Sequence, residues 1–200
     1  MTMRPPSAGA AYSRAQTDDP QNRETHDFYP THPAATRALL RVERFEGTIW
    51  EPACGDGAMS RELEAAGYDV VSTDLIDRGF GQGGCDFLME WAPRAPHIVT
   101  NPPFRWAKQF AERALLLTRG QRGKVVLFLR LAFLEGVERH RWFEHTPLAR
   151  VWVMSRRVPM QRGRQAGEGD GHGVIAFAWF VWEHGHQGPP VLGFLDWKDT

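Results

Sequence analysis

Only two cysteines, Cys54 and Cys85, occur in the 200 residues, and the start of the chain does not read as a secretory signal. A disulfide framework is therefore not indicated, and a reducing cytoplasm is the expected setting. No apolar run approaches the ~20 residues a helix needs to cross a bilayer. An excess charge of one sign is also missing: Lys+Arg and Asp+Glu are both 24. Net charge thus gives no general argument for a nucleic-acid partner, and local charge has to carry any such case. There is no internal repeat, no G-x-G-x-x-G spacing and no Walker lysine. What the chain does have is core-forming material. Its 42% hydrophobic and 12% aromatic content is enough for one sizeable core and a single domain.

Residues 1–25, rich in Ala, Pro, Ser and Thr without periodicity, are expected to be a disordered tail. A catalytic domain is expected over 26–186, followed by a C-terminal extension over 187–200. Pro33 and Ala34 can open a helix through Val42. Strands are expected at 48–51, 68–73, 97–100, 124–130, 150–155 and 174–183, with a brief strand or turn at 85–88. Helices are expected at 58–66, ended by Gly67, at 108–118 and at 135–145. Alternation of strands and helices implies an α/β, Rossmann-like sheet of seven mostly parallel strands. Only a loop, 156–173, separates the last two strands. They must then be antiparallel neighbours, and the last strand is the antiparallel one.

Asn101-Pro102-Pro103-Phe104 follows the apolar run at 97–100. Each proline fixes its own φ and restrains the residue before it, so Asn101 has little backbone freedom. Its amide oxygen and the neighbouring main-chain carbonyls point at a defined place, with the aromatic Phe104 close by. That arrangement suits a flat ring bearing an amine. A second motif, Glu51-Pro52-Ala53-Cys54-Gly55-Asp56-Gly57, joins a strand to a helix. Its glycines allow a ligand to approach the backbone closely. Glu51 and Asp56 would repel a pyrophosphate but suit the ammonium of an amino acid. Asp74, with Leu75 beside it, ends the next strand 17 residues after Gly57, where an acid commonly binds ribose hydroxyls. Asp86 and Phe87 are placed to meet an adenine. Together these residues describe an adenosine carrying an amino-acid tail, S-adenosyl-L-methionine.

On these motifs the sequence resembles the class I S-adenosylmethionine-dependent methyltransferases, and within them the compact phage and prophage enzymes that methylate N6 of adenine in DNA. The family tetrapeptide [D/N/S]-P-P-[Y/F] is matched by 101–104, and its cofactor loop [D/E]-P-A-C-G-x-G by 51–57. The resemblance covers roughly 28–183. It implies that Asn101, Pro102, Pro103 and Phe104 are catalytic and that Asn101 also borders the cofactor. A Tyr-x-Thr-Pro segment that contacts the methionine part of the cofactor in the family is similar to Tyr29-Pro30-Thr31-His32-Pro33, where His32 is inserted. The implied substrate is an adenine flipped out of DNA. The long target-recognition region of restriction–modification enzymes has no counterpart here, so specificity is expected to be short or relaxed. The same tetrapeptide also serves enzymes acting on RNA bases and on protein glutamine. A non-catalytic cofactor-binding regulator is a third alternative.

Local charge adds one expectation. Arg150, Arg156, Arg157, Arg162 and Arg164 fall in an acid-free stretch, and Arg105 and Lys108 follow the tetrapeptide. Arg105, Lys108, Arg156, Arg157, Arg162 and Arg164 are the expected nucleic-acid contacts. No metal site is expected, because His184 and His186 lack further ligands at a suitable spacing. Trp179 and Trp182 fall on opposite faces of a strand and are expected to pack in the core. Cys54 is expected to be a small buried residue, not a nucleophile.

Overall fold

The computed structural model describes residues 28–160 and 175–198. The expected tail, Arg162 and Arg164 lie outside the described residues. The elements run α1 (Pro33–Val42), β1 (Ile49–Glu51), α2 (Ala58–Ala65), β2 (Val70–Ser72), β3 (His97–Thr100), α3 (Ala107–Thr118), β4 (Lys124–Arg130), α4 (Val137–Phe143), β5 (Leu148–Met154), β6 (Phe177–Glu183) and β7 (Val191–Leu195). The start of α1 follows from local chemistry. Pro33 brings a pre-set φ to the first turn, and His32 Nδ1 accepts the Ala34 N–H at 3.2 Å.

The strands form one seven-stranded sheet in the order β2-β1-β3-β4-β6-β5-β7. β1 lies parallel to both β2 and β3, and β3 parallel to β4. β6 is antiparallel to β4 on one side and β5 on the other. Helices cover both faces of the central strands, so β4 reads as a continuous apolar run and its middle five residues are buried. Alternate side chains feed two cores. Val126, Phe128 and Trp179 join Leu39 of α1 and Met59 and Leu63 of α2. Val125, Leu127, Leu129 and Trp182 join Ala111 and Ala114 of α3. Trp179 and Trp182 are both fully buried, in opposite cores. No helix among the described residues is long and apolar enough to cross a membrane.

For the strands, one open alternative is decided and one expectation is corrected. Residues 85–88 take the turn and not the strand, so they do not supply the seventh strand. Asp86 accepts the Leu88 N–H at 3.0 Å and caps a single 3-10 turn, Phe87–Met89, which withdraws that backbone from any ladder. The seventh strand is β7, drawn from 187–200, which pairs parallel to β5. The antiparallel strand is therefore the sixth in the chain and interior to the sheet, while the last strand is parallel to its neighbour. At β7 the chain passes Trp152 with no side chain between them: a Cβ on Gly193 would come within 2.1 Å of that indole.

The amino edge of the sheet is stapled by one buried carboxylate. Glu43, at the end of α1, accepts from Arg150 at 2.6 and 3.1 Å, from Lys124 at 2.7 Å and from the Trp152 indole at 2.9 Å. Arg150 also pairs with Glu183 at 2.7 Å. Arg150 is thereby removed from the basic stretch counted with Arg156 and Arg157: it lies in the first half of β5, toward the edge away from the carboxyl ends of the parallel strands. Burial pushes the Glu43 carboxyl up, but the bonds from Arg150, Lys124 and Trp152 outweigh it and hold the group below its ordinary range. A lowered carboxyl contributes stability that is present above its unfolded value and lost as pH falls through the folded one. Glu43→Gln should leave Lys124 without its ion pair and Arg150 with Glu183 alone, and cost about 3–5 kcal/mol at neutral pH. In denaturant titrations that deficit should shrink as the pH is lowered below 4.5.

Candidate active site

Parallel pairing sets the ends of β1, β2, β3 and β4 side by side, and a cavity of about 320 Å³ opens at that carboxyl edge. Its walls come from the loops after β1, β2 and β3 and from the segment before α1. Glu51, Pro52, Ala53 and Asp56 line it from the first loop, and Asp74 and Leu75 from the second. Asp86 and Phe87 come from the 3-10 turn, Asn101, Pro103 and Arg105 from the third loop, and Tyr29 and Thr31 from the N-terminal side.

Asp74 organises this edge. Its carboxylate accepts the Gly55 N–H at 2.8 Å and the Ile76 N–H at 2.8 Å, tying the first two loops together. Gly55 and Gly57 do not line the cavity; they make room behind it. A Cβ on Gly55 would meet the Phe28 ring at 2.3 Å, and one on Gly57, whose φ is +84°, would meet the Phe80 ring at 2.5 Å. Phe80 thus seals the entrance of α2. That agrees with a ligand that brings no phosphate to the helix N-terminus, unlike dinucleotide sites. Arg78 lies over Phe28 at 4.2 Å and completes the same wall.

Glu51 is buried at the floor. Burial drives its carboxyl well above the ordinary range; hydrogen bonds from Ser60 pull the other way, and the charges of Asp74 and Asp56 add to the rise. The Ser60 hydroxyl donates to Glu51 and stands 2.6 Å from the Ser72 hydroxyl. Burial, with the charges of Asp74 and Asp56 added to it, favours the protonated form of this deepest carboxyl. The buried Cys54 thiol is pushed up to about 12, by burial first and then by the neighbouring acids Glu51 and Asp74, which disfavours its thiolate at neutral pH.

Asn101 is fixed from the side. Its Nδ2 donates to the Tyr29 carbonyl at 2.9 Å, which settles the orientation of the amide because a carbonyl can only accept. The Oδ1 is left buried with no hydrogen-bond partner. Phe104 stands beside the cavity wall, stacked on Tyr29 with ring centres 5.9 Å apart. Pro102 is buried and does not line the cavity.

The expected nucleic-acid contacts separate. Arg105 lies at the cavity rim against Trp106, at 5.6 Å. Lys108 pairs with Glu112 along α3, and Arg156 with Asp196 beyond β7. Arg157 is exposed after β5. Arg156 and Arg157 share the carboxyl edge with the cavity but sit three strands away from β3 in the sheet order. Ser60, Arg78, Phe80, Trp106 and Arg130 were not singled out in the sequence. Trp106 follows the tetrapeptide closely enough to have been noticed; the others carry no motif and are assembled only by folding. Among the described residues no cluster of three or more His, Cys, Asp or Glu could hold a metal.

Sheet order, the carboxyl-edge cavity and the interior antiparallel strand together define the fold of the class I S-adenosylmethionine-dependent methyltransferases. Solved structures agree. The chain is similar to a type I restriction–modification methyltransferase subunit from Streptococcus thermophilus, with TM-score 0.58 and 12% identity, over 93% of this chain and 50% of that one. It is similar to a dimethyladenosine transferase from Plasmodium falciparum, with TM-score 0.55 and 12% identity, over 78% and 63%. A Listeria monocytogenes protein assigned to the class I S-adenosylmethionine-dependent methyltransferases matches with TM-score 0.52 and 12% identity, over 81% and 62%. The chain thus spans half to under two-thirds of the length of these proteins. No protein-family model and no curated protein matches the sequence.

A carboxyl raised by burial contributes most to stability below its unfolded value, and that contribution is lost as pH rises toward the folded one. Glu51→Gln keeps an oxygen for Ser60 and removes the charge that burial opposes. It should raise Tm by a few degrees at pH 8, with the gain shrinking toward pH 5. Differential scanning fluorimetry across that range checks both the size and the trend.

Proposed function

We propose that this protein transfers a methyl group from S-adenosyl-L-methionine to the N6 amine of adenine in DNA, with short or relaxed sequence specificity, in the cytoplasm of a bacterial or phage-infected host. The observation that carries this reading is the buried, unpartnered Oδ1 of Asn101 at the end of β3. A buried acceptor without a donor costs about 1–3 kcal/mol, and the missing donor is supplied by a substrate N–H.

The cavity fits the cofactor on its own chemistry. Glu51 and Asp56 suit its ammonium, and Asp74 suits ribose hydroxyls. Asp86 and Phe87 suit adenine, with Tyr29 and Thr31 closing the methionine end. Bound there, S-adenosylmethionine supplies a methyl group on a positively charged sulfur. The protein's task is to make a weak nucleophile competent. The adenine amine is poor because its lone pair is delocalised into the ring. Asn101 Oδ1 accepts one N–H and the Pro102 carbonyl the other, which draws the nitrogen toward tetrahedral geometry. The methyl's bond to sulfur would break as its bond to nitrogen forms, leaving a neutral thioether, and the methylated nitrogen would then shed one proton to solvent, so no general base is needed beforehand. Pro102 and Pro103 keep both acceptors from moving, and Phe104 offers its ring to the base. Orientation of this kind is worth several kcal/mol of barrier.

Purified protein incubated with the cofactor and adenine-containing DNA should yield N6-methyladenine by nucleoside mass spectrometry. Asn101→Ala should lower the rate by about 10²–10³-fold, with a much smaller effect on cofactor affinity measured by calorimetry. Product on RNA but not on DNA would move the reading to an RNA-base enzyme. Cofactor binding without product on DNA, RNA or protein would leave a non-catalytic regulator.

A further inference from the structure

Arg130 ends β4 at the same edge as Asn101. Thr100 pairs with Leu127, so Arg130 lies three residues further along the neighbouring strand. Its guanidinium sits over the Phe104 ring, 4.7 Å from the centre. Phe177, which faces Arg130 across β4 and β6, packs on Phe104 from another direction at 5.6 Å. Arg130 Nε is buried and has no hydrogen-bond partner.

Among the described residues several other cations are held in ion pairs. Arg150 and Lys124 hold Glu43, Arg94 holds Glu90, Arg37 holds Glu62 and Arg156 holds Asp196. Arg130 has no ion pair to a described residue, although a guanidinium carries five donors in a rigid fork. The cavity acids Glu51, Asp56, Asp74 and Asp86 line a space that Arg130 does not line. Thr100 Oγ1, Asn101 Oδ1 and Arg130 Nε are the unpartnered buried polar atoms around the tetrapeptide; the last two differ in sign, an acceptor on Asn101 and a donor on Arg130. A nucleotide presents both complements, an amine on its base and an anion on its backbone.

We propose that Arg130 binds a backbone phosphate adjacent to the adenine held by Asn101, using Phe104 as the platform that fixes its guanidinium. The proposal rests on the nucleic-acid reading above. The fork of an arginine matches two phosphate oxygens, and the aromatic contact leaves its edge free for them. Such a contact gives a chain of zero net charge a cation at the point where the backbone must be held while the base is turned out.

The test uses fluorescence anisotropy with an adenine-containing DNA oligonucleotide over a range of salt, in the presence of cofactor. Arg130→Gln should reduce the slope of log affinity against log salt by about 0.7–0.9, the value of one phosphate contact, while cofactor affinity stays unchanged. Arg130→Lys should recover most of the slope. A second arm changes the DNA and so begins from the wild-type protein. With the wild-type protein, a neutral methylphosphonate placed at one position beside the target adenine should weaken binding, and Arg130→Gln should be insensitive to that replacement. An unchanged slope with a reduced turnover rate would overturn the proposal and leave Arg130 as a support for Phe104. A penalty seen only with 7-deazaadenine would overturn it in favour of a base contact. Absence of salt-dependent binding to any nucleic acid by the wild-type protein would overturn the nucleic-acid reading itself, and this proposal with it.

Discussion

Parallel pairing of β1 with β2 and β3, and of β3 with β4, is the constraint on which the site depends. In a parallel ladder all strands leave the sheet at the same edge, so each loop that follows a strand opens on the same space. The pairing of Glu51 with Ser72 and of Thr100 with Leu127 therefore brings together groups far apart in the chain. Glu51, Asp74 and Asn101 need no direct contact with one another. Each is delivered by its own strand, and a slip of register would send them to different depths.

Two side chains convert that alignment into a shaped cavity. Asp74 uses both carboxylate oxygens on backbone N–H groups, joining the loop after β1 to the loop after β2. Asn101 uses its amide nitrogen on the Tyr29 carbonyl, joining the loop after β3 to the segment before α1. Each bond also has a chemical consequence. The first places a carboxylate near the raised Glu51, and the second leaves an amide oxygen without a donor. Structural anchoring and chemical readiness arise from the same hydrogen bonds.

At the opposite edge Glu43 does different work. It gathers Arg150, Lys124 and Trp152 into a buried cluster and extends through Arg150 to Glu183. This cluster fastens α1 to β4, β5 and β6 and keeps two strong cations away from the acidic cavity. The molecule is thereby divided electrostatically. Its acids converge on the carboxyl edge, with Arg105 at the rim and Arg130 behind Phe104.

Much of this was legible in the sequence. Pro33 marked the start of α1, the run at 124–130 marked a central strand, and 51–57 and 101–104 marked two loops that contribute to the cavity wall. These features are local: they depend on proline geometry, periodicity and residue spacing, which a sequence displays directly. At Asp86 the sequence left strand and turn open, because a side-chain cap and a strand compete for the same short segment and only the neighbouring sheet decides between them. β7 was missed because its place depends on Gly193 passing Trp152, a contact between residues 41 positions apart. Arg150 looked like its basic neighbours until its register put it beside Glu43. The sequence by itself determined which loops carry polar residues after the strands that meet at the cavity. Tertiary structure decided which polar atoms are left without partners, because pairing is a property of the space around an atom and not of its place in the chain.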